Sequence, residues 1–134
     1  MIGRTGERQT LRIVKYGDAC NLPSFGSVET VKRKLNILKE HCKSIGRNYD
    51  SILKTNLSRV VIEDYRELTR KRSQQIVNMP EEQVDEFAIY GTPEDVLRQK
   101  ELFEEAGIQY LIVNLDPSKG LDALNNFAEI IKKP

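Results

Sequence analysis

Between two segments that both carry helix boundaries, the chain places Tyr110-Leu111-Ile112-Val113-Asn114-Leu115, an apolar run of strand length. A continuous run of this kind suits a strand buried on both faces of a parallel sheet. Upstream, Gly91-Thr92-Pro93-Glu94-Asp95 writes a helix start: Thr92 at the N-cap, proline at the first helical position, then two acids where the helix dipole favours negative charge. That helix continues through Val96, Leu97, Lys100 and Phe103 to Gly107. Past Asp116-Pro117, Leu121, Leu124, Phe127, Ile130 and Ile131 mark a terminal helix. A strand held between helices needs crossover connections, and these are right-handed and parallel.

The alternation extends back to the amino end. Val31, Leu35, Leu38, Cys42 and Ile45 recur at spacings of four and three, with Ser27 as N-cap and Gly46 as the stop, and predict the clearest helix of the chain. Before it, Asp18 to Leu22 is a short half-apolar strand stopped by Pro23, and Glu7 to Tyr16, with Leu11, Ile13 and Val14, is a short helix ending at Gly17. After the Asn48-Tyr49-Asp50 turn, Ile52 to Ile62 reads as a strand whose Lys54 and Arg59 are expected at its ends or pointing to water. Residues 63–90 read as a polar, helical insertion within a single domain, 1–134, with a surface helix and a second short one after Pro80. The order implies an α/β fold with strands near Ile2, Ala19, Leu57 and Ile112.

Composition bounds the function classes. The 134 residues make one domain, short of the ~250 of a complete eight-stranded α/β barrel. Twenty-one basic against 20 acidic side chains give a formal charge of +1, without the electrostatic footprint of a nucleic-acid binder. No stretch approaches ~20 consecutive apolar residues, and the amino terminus lacks the pattern of a secretory signal, so a cytoplasmic protein without membrane contact is expected. Cys20 and Cys42 form no ligand motif and are expected as reduced core residues; no metal is predicted. His41, beside Glu40, is expected on a solvated helix face, as is the cluster Arg70-Lys71-Arg72. One histidine assembles no Ser-His-Asp set, and no carboxylate pair is fixed by spacing.

Candidate chemistry lies at strand ends. Met1 to Glu7 reads as the end of a strand followed by a glycine-bearing turn that opens a helix, and Gly3, Arg4, Thr5, Gly6 and Glu7 would present backbone N–H groups and a helix N-terminus to an anion. Glycine needed only for the strand-to-helix connection, with Glu7 complementing the helix dipole, is the alternative. Asp18, Asn21 and Asn114 lie at or near strand ends, where barrel enzymes place active-site groups; capping and loop satisfaction is their alternative reading.

Three stretches taken together resemble one family. Ile2 to Arg12 (IGRTGERQTLR) leading into Tyr16 to Asn21 (YGDACN), Val31 to Asp50 (VKRKLNILKEHCKSIGRNYD), and Gly91 to Val96 (GTPEDV) followed by AGIQYLIVNL look like the C-terminal half of luciferase-like monooxygenases. The likeness is greatest to the deazaflavin branch that uses coenzyme F-420, which includes methylenetetrahydromethanopterin reductases. It implies the last four βα units of a (β/α)₈ barrel, with the turn Gly3 to Glu7 against the phosphate-bearing side chain of the flavin or deazaflavin. Relatives usually carry glycine where Arg4 and Thr5 stand, so the cradle is more crowded here. Redox chemistry in the family belongs to the cofactor ring, and no catalytic residue is assigned.

Two functions follow as expectations. One is a share in a flavin- or F-420-dependent oxidoreductase acting on a small molecule, completed by a second copy or by a separately encoded N-terminal half. The other is a catalytically inactive truncated relative that serves as a binding or assembly module.

Overall fold

Leu53–Ile62 forms β3, the spine of a five-stranded sheet. The computed structural model describes residues 2–3, 7–23, 28–62, 88–115 and 120–132, with Lys71, Gln75, Asn78, Pro80 and Ser118. β2 (Ala19–Pro23) pairs with β3 from Leu53 to Leu57, β4 (Ala88–Gly91) from Arg59 to Ile62, and β5 (Tyr110–Leu115) from Thr55 to Val60. Thr55 to Leu57 have partners in both β2 and β5, and Arg59 and Val60 in both β4 and β5. A strand has two edges, so β4 continues along the edge that β2 leaves at Pro23. β1 (Ile2–Gly3) flanks β2. Every ladder is parallel, as the alternation of strands and helices requires.

Among the described residues, α1 (Glu7–Tyr16), α2 (Val28–Ile45) and α3 (Pro93–Ala106) run between strands, and α4 (Gly120–Ile131) follows β5. α2 buries Val31, Leu35, Leu38 and Cys42, the stripe its spacing predicts. It ends at Gly46, where φ is 74° and the Arg47 N–H returns to the Cys42 carbonyl at 2.9 Å. Ser27, the predicted N-cap, lies outside the described residues. α3 opens as predicted on Thr92, with Asp95 closing a reciprocal capping box. Side chains from all four helices join Cys20, Leu22, Val60 and Ile89 in one core on one face of the sheet.

Several expectations are corrected. β4 (Ala88–Gly91), whose first three residues fall at the end of the predicted insertion, is a buried strand; of the insertion's remainder, Lys71 and Gln75 are helical, and most of residues 63–87 lie outside the described residues. Lys54 stands at the amino end of β3, one of the two places expected, yet it does not reach water: it is 4% exposed, on the helix side of the strand. Its Nζ donates to the Tyr49 carbonyl at 2.9 Å and sits 3.9 Å from the Tyr49 ring centroid, so carbonyl and ring replace water around the ammonium. Burial holds its pKa below the ordinary lysine value, with Asp50 opposing in part.

Beside Lys54, Asn56 and Ser58 are fully buried. The Asn56 Nδ2 donates to the Leu22 carbonyl at 3.0 Å, and the Ser58 hydroxyl donates to Asn56 Oδ1. His41 is half-buried rather than solvated, with its Nε2 enclosed and without a hydrogen-bond partner among the described residues. Cys20 and Cys42 are buried free thiols, as expected. β5 is half-buried on the helix face through Leu111, Val113 and Leu115 and exposed on the other, which no described residue covers, in place of the burial on both faces that its sequence predicts.

Candidate functional site

The faces of the sheet differ because side chains alternate along each strand. Even-numbered positions of β3 face the helices. Odd-numbered positions face the opposite, inner side, and the register groups them with residues of neighbouring strands. Asn21, Thr55 and Tyr110 form one row, level with Gly3 at the end of β1. Leu57 and Ile112 form the next row, Arg59 and Asn114 the next, toward the carboxyl rim. Tyr110 is 62% exposed and Ile112 40%, so this inner face is open around its middle.

Within the first row, the buried Thr55 hydroxyl donates to Asn21 Oδ1 at 2.9 Å, with the Cys20 carbonyl more distant at 3.5 Å. The Asn21 carboxamide is thereby oriented: its oxygen is taken, and its Nδ2 has no acceptor among the described residues. Asn21 is half-buried and Asn114 exposed, and Arg59, half-buried, is a basic residue at an inner-face position. The surface therefore combines an apolar floor, one directed N–H donor and a cation nearer the rim.

The sequence-predicted residues divide three ways. Gly3 ends β1 beside Asn21, and α1 begins at Glu7, so the predicted turn leaves the carboxyl end of a parallel strand; Arg4, Thr5 and Gly6 lie outside the described residues. Asn21 and Asn114 come to the inner face. Asp18 does not: it precedes β2, and its carbonyl accepts from the Leu53 N–H at 2.9 Å, which fixes it at the amino end of the sheet. Thr55, Arg59 and Tyr110 are the residues that sequence reasoning missed. The alternation Thr55-x-Leu57-x-Arg59 was the available signal, since it places a hydroxyl and a guanidinium on the face opposite Lys54.

Neither thiol belongs to this surface. Cys20 lies on the helix side with its pKa pushed up to about 11 by burial, and burial also raises Cys42. A groove of about 670 Å³, lined by Lys32, Arg33, Lys39 and Tyr49 among others, lies at the amino end of the strands, since Tyr49 precedes β3 and Gly107 precedes β5. Among the described residues, no group of His, Cys, Asp and Glu is arranged to hold a metal ion, and no helix is long and apolar enough to cross a membrane.

No protein-family model matches the sequence, and no curated protein matches it. Solved structures share its fold. An F-420-dependent secondary alcohol dehydrogenase, in complex with an F-420–acetone adduct, superposes with a TM-score of 0.73 at 13% identity, over 98% of this chain and 48% of that one. A riboflavin lyase with modified FMN and riboflavin gives 0.71 at 16% identity, over 97% and 42%. A coenzyme F-420-dependent tetrahydromethanopterin reductase from Methanopyrus kandleri gives 0.65 at 14%, over 93% and 50%. At these identities the likeness is one of fold: parallel strands alternating with helices, as in luciferase-like enzymes of the TIM-barrel type. The chain spans about half the length of each of these structures.

Proposed function

We propose that this chain supplies half of the pocket of a flavin- or deazaflavin-dependent oxidoreductase. The open inner face carries the proposal, because it brings a directed donor, a cation and exposed apolar side chains together on the strands of a barrel-type sheet. The donor set suits such a cofactor, which has a flat ring with carbonyl oxygens and an anionic side chain. Asn21 Nδ2 would donate to a ring carbonyl, with Thr55 fixing its direction. Tyr110 and Ile112 would shield the ring from water. Arg59 and the backbone N–H groups of the turn from Gly3 to Glu7 would receive negative charge. When bound, the cofactor supplies hydride transfer to or from a small organic substrate.

The remaining pocket wall comes from a second set of strands. Titration of the purified protein with FMN and with coenzyme F-420, followed by absorbance and fluorescence, tests the proposal. Saturable uptake of either supports it. Failure of both to bind at millimolar concentration overturns it and favours the inactive module, a reading that agrees with Arg4 and Thr5 standing where relatives usually carry glycine.

A further inference from the structure

The groove of about 670 Å³ beside Tyr49 has no part in the cofactor reading. It lies in the helix layer, where one flank of α2 meets the end of α3 at Ala106 and Gly107, and not on the inner face of the sheet. Helical spacing builds it. Lys32, Asn36 and Lys39 recur at four and three along that flank with Arg33 beside them, while Val31, Leu38 and Cys42 turn to the core. From Lys32 to Lys39 the flank runs two turns, about 10 Å. Below the charges, buried Leu35 and half-buried Ala106 supply apolar surface, and Gly107 adds no side chain.

The cations of the groove are left over from the pairing that neutralises others on the helices. Lys43 pairs with Glu40 at 3.7 Å, Lys100 with Glu104 at 2.6 Å and Lys132 with Glu129 at 3.8 Å. Arg33 and Lys39 have no carboxylate partner among the described residues, and Lys39 Nζ has only the Tyr49 ring, 6.0 Å away at its centroid. Lys32 meets Glu29 loosely at 3.9 Å, with both side chains more than half exposed, a pair of little strength. Glu29 is the one acid of the lining, so the groove carries an excess of two positive charges in a chain whose formal charge is +1.

We infer that this groove binds a small ligand joining a diphosphate to a flat aromatic ring system, with Lys32, Arg33 and Lys39 receiving the anion and Leu35, Ala106 and Tyr49 the ring. The volume falls in the range of small-molecule sites. The excess charge, spread along two turns, suits a diphosphate better than a single carboxylate, and a guanidinium meets phosphate oxygens in pairs. The carbonyl end of α3 repels an anion, so the ring takes the Ala106 side and the phosphates the side of Lys32 and Arg33.

Calorimetric titration of the full chain at low salt tests this with ADP as the probe, and with pyrophosphate and adenosine as its two halves. Saturable binding of ADP, at least about tenfold tighter than of either half, is expected. No uptake of ADP at millimolar concentration overturns the inference, and pyrophosphate binding as tightly as ADP overturns it as well, since the apolar floor would then have no role. Arg33→Glu with Lys39→Glu, both exposed and so expected to leave the far-ultraviolet circular dichroism unchanged, should weaken ADP binding at least about tenfold. Lys15→Glu with Lys132→Glu makes the same change of net charge away from the groove and should leave binding unchanged; an equal loss in both double variants would mean that net charge alone is read. Asn36→Trp, which fills the groove without altering charge, should also weaken binding, and an unaltered isotherm would place the site elsewhere. FMN likewise joins phosphate to a flat ring, so the two sites are separated by variants: Asn21→Ala should weaken FMN and spare ADP, and Arg33→Glu with Lys39→Glu should do the reverse. ADP binding in a chain that takes up neither FMN nor coenzyme F-420 upholds the groove and rejects the cofactor proposal, whereas displacement of FMN by ADP overturns the separate groove.

Discussion

Replacing Gly91 by alanine is expected to cost far more than the same change at Gly46, although both residues have positive φ. At Gly91 φ is 141°, and a Cβ would sit 2.5 Å from the Asp95 Cβ and 2.7 Å from its Oδ2. Asp95 cannot yield without loss, because Oδ2 accepts from the Thr92 N–H and hydroxyl, each at 3.1 Å, and its own N–H donates to Thr92 Oγ1 at 3.3 Å. Backbone strain of about 2 kcal/mol in a region close to glycine-only, and about 1 kcal/mol for the broken cap, sum to about 3 kcal/mol. At Gly46 φ is 74° and no atom lies within 4 Å of the added Cβ, so only the left-handed penalty of about 1 kcal/mol applies. Urea unfolding followed by circular dichroism measures both. In melting temperature the two changes should lie about 8 °C apart. Equal costs would refute the steric account of the capping box.

Alkaline stability should depend on Cys20. Burial raises its pKa from 9.0 to about 11, so the folded chain keeps a proton that the unfolded chain gives up. The resulting stabilisation is intact below pH 9.0 and is lost as pH rises to about 11, by about 3 kcal/mol, and Cys20→Ala should flatten that limb in denaturant melts. An equal alkaline fall in wild type and variant contradicts this. Lys54→Met, which keeps the stem and removes the buried charge, should stay within about 1 kcal/mol of wild type or exceed it, whereas Lys54→Ala should lose about 3 kcal/mol by leaving a void; comparable losses in the two melts would sink the reasoning. Asn21→Ala should weaken uptake of FMN or coenzyme F-420 about tenfold. Thr55→Val should weaken it by freeing the carboxamide and Thr55→Ser should restore it; unchanged titration curves for Thr55→Val would count against the role of that hydroxyl.

Much of the fold was legible because periodicity and caps are local. The stripe from Val31 to Cys42, the Thr92-Pro93 start and the Gly46 and Gly107 stops all reappear where sequence places them. β4 was not legible, since four residues at the end of a polar segment are too few to show a period, and their burial depends on the edge of β3 left open beyond Pro23. The place of Lys54 was hidden for a similar reason: its partner is the carbonyl and ring of Tyr49, joined by the chain's return through a 3₁₀ turn (Tyr49–Ser51). Asn21 and Asn114 could be suspected from strand ends, but Thr55 and Arg59 join them only through register, which one sequence does not print. β5 reads as doubly buried because hydropathy records what a strand prefers to have covered, whatever then covers it.

β3 has neighbours along both of its edges, and its side-chain ties to β2 run from successive residues, Thr55 to Asn21 and Asn56 to the Leu22 carbonyl. Sliding the two strands by a single position would break both ties and turn a lysine, an asparagine and a serine away from the environment that solvates them. No local opening frees such a strand: its amide protons in the stretch from Thr55 to Val60 should trade with deuterium only when the whole molecule comes apart, long after those of the outer edge of β5 have done so.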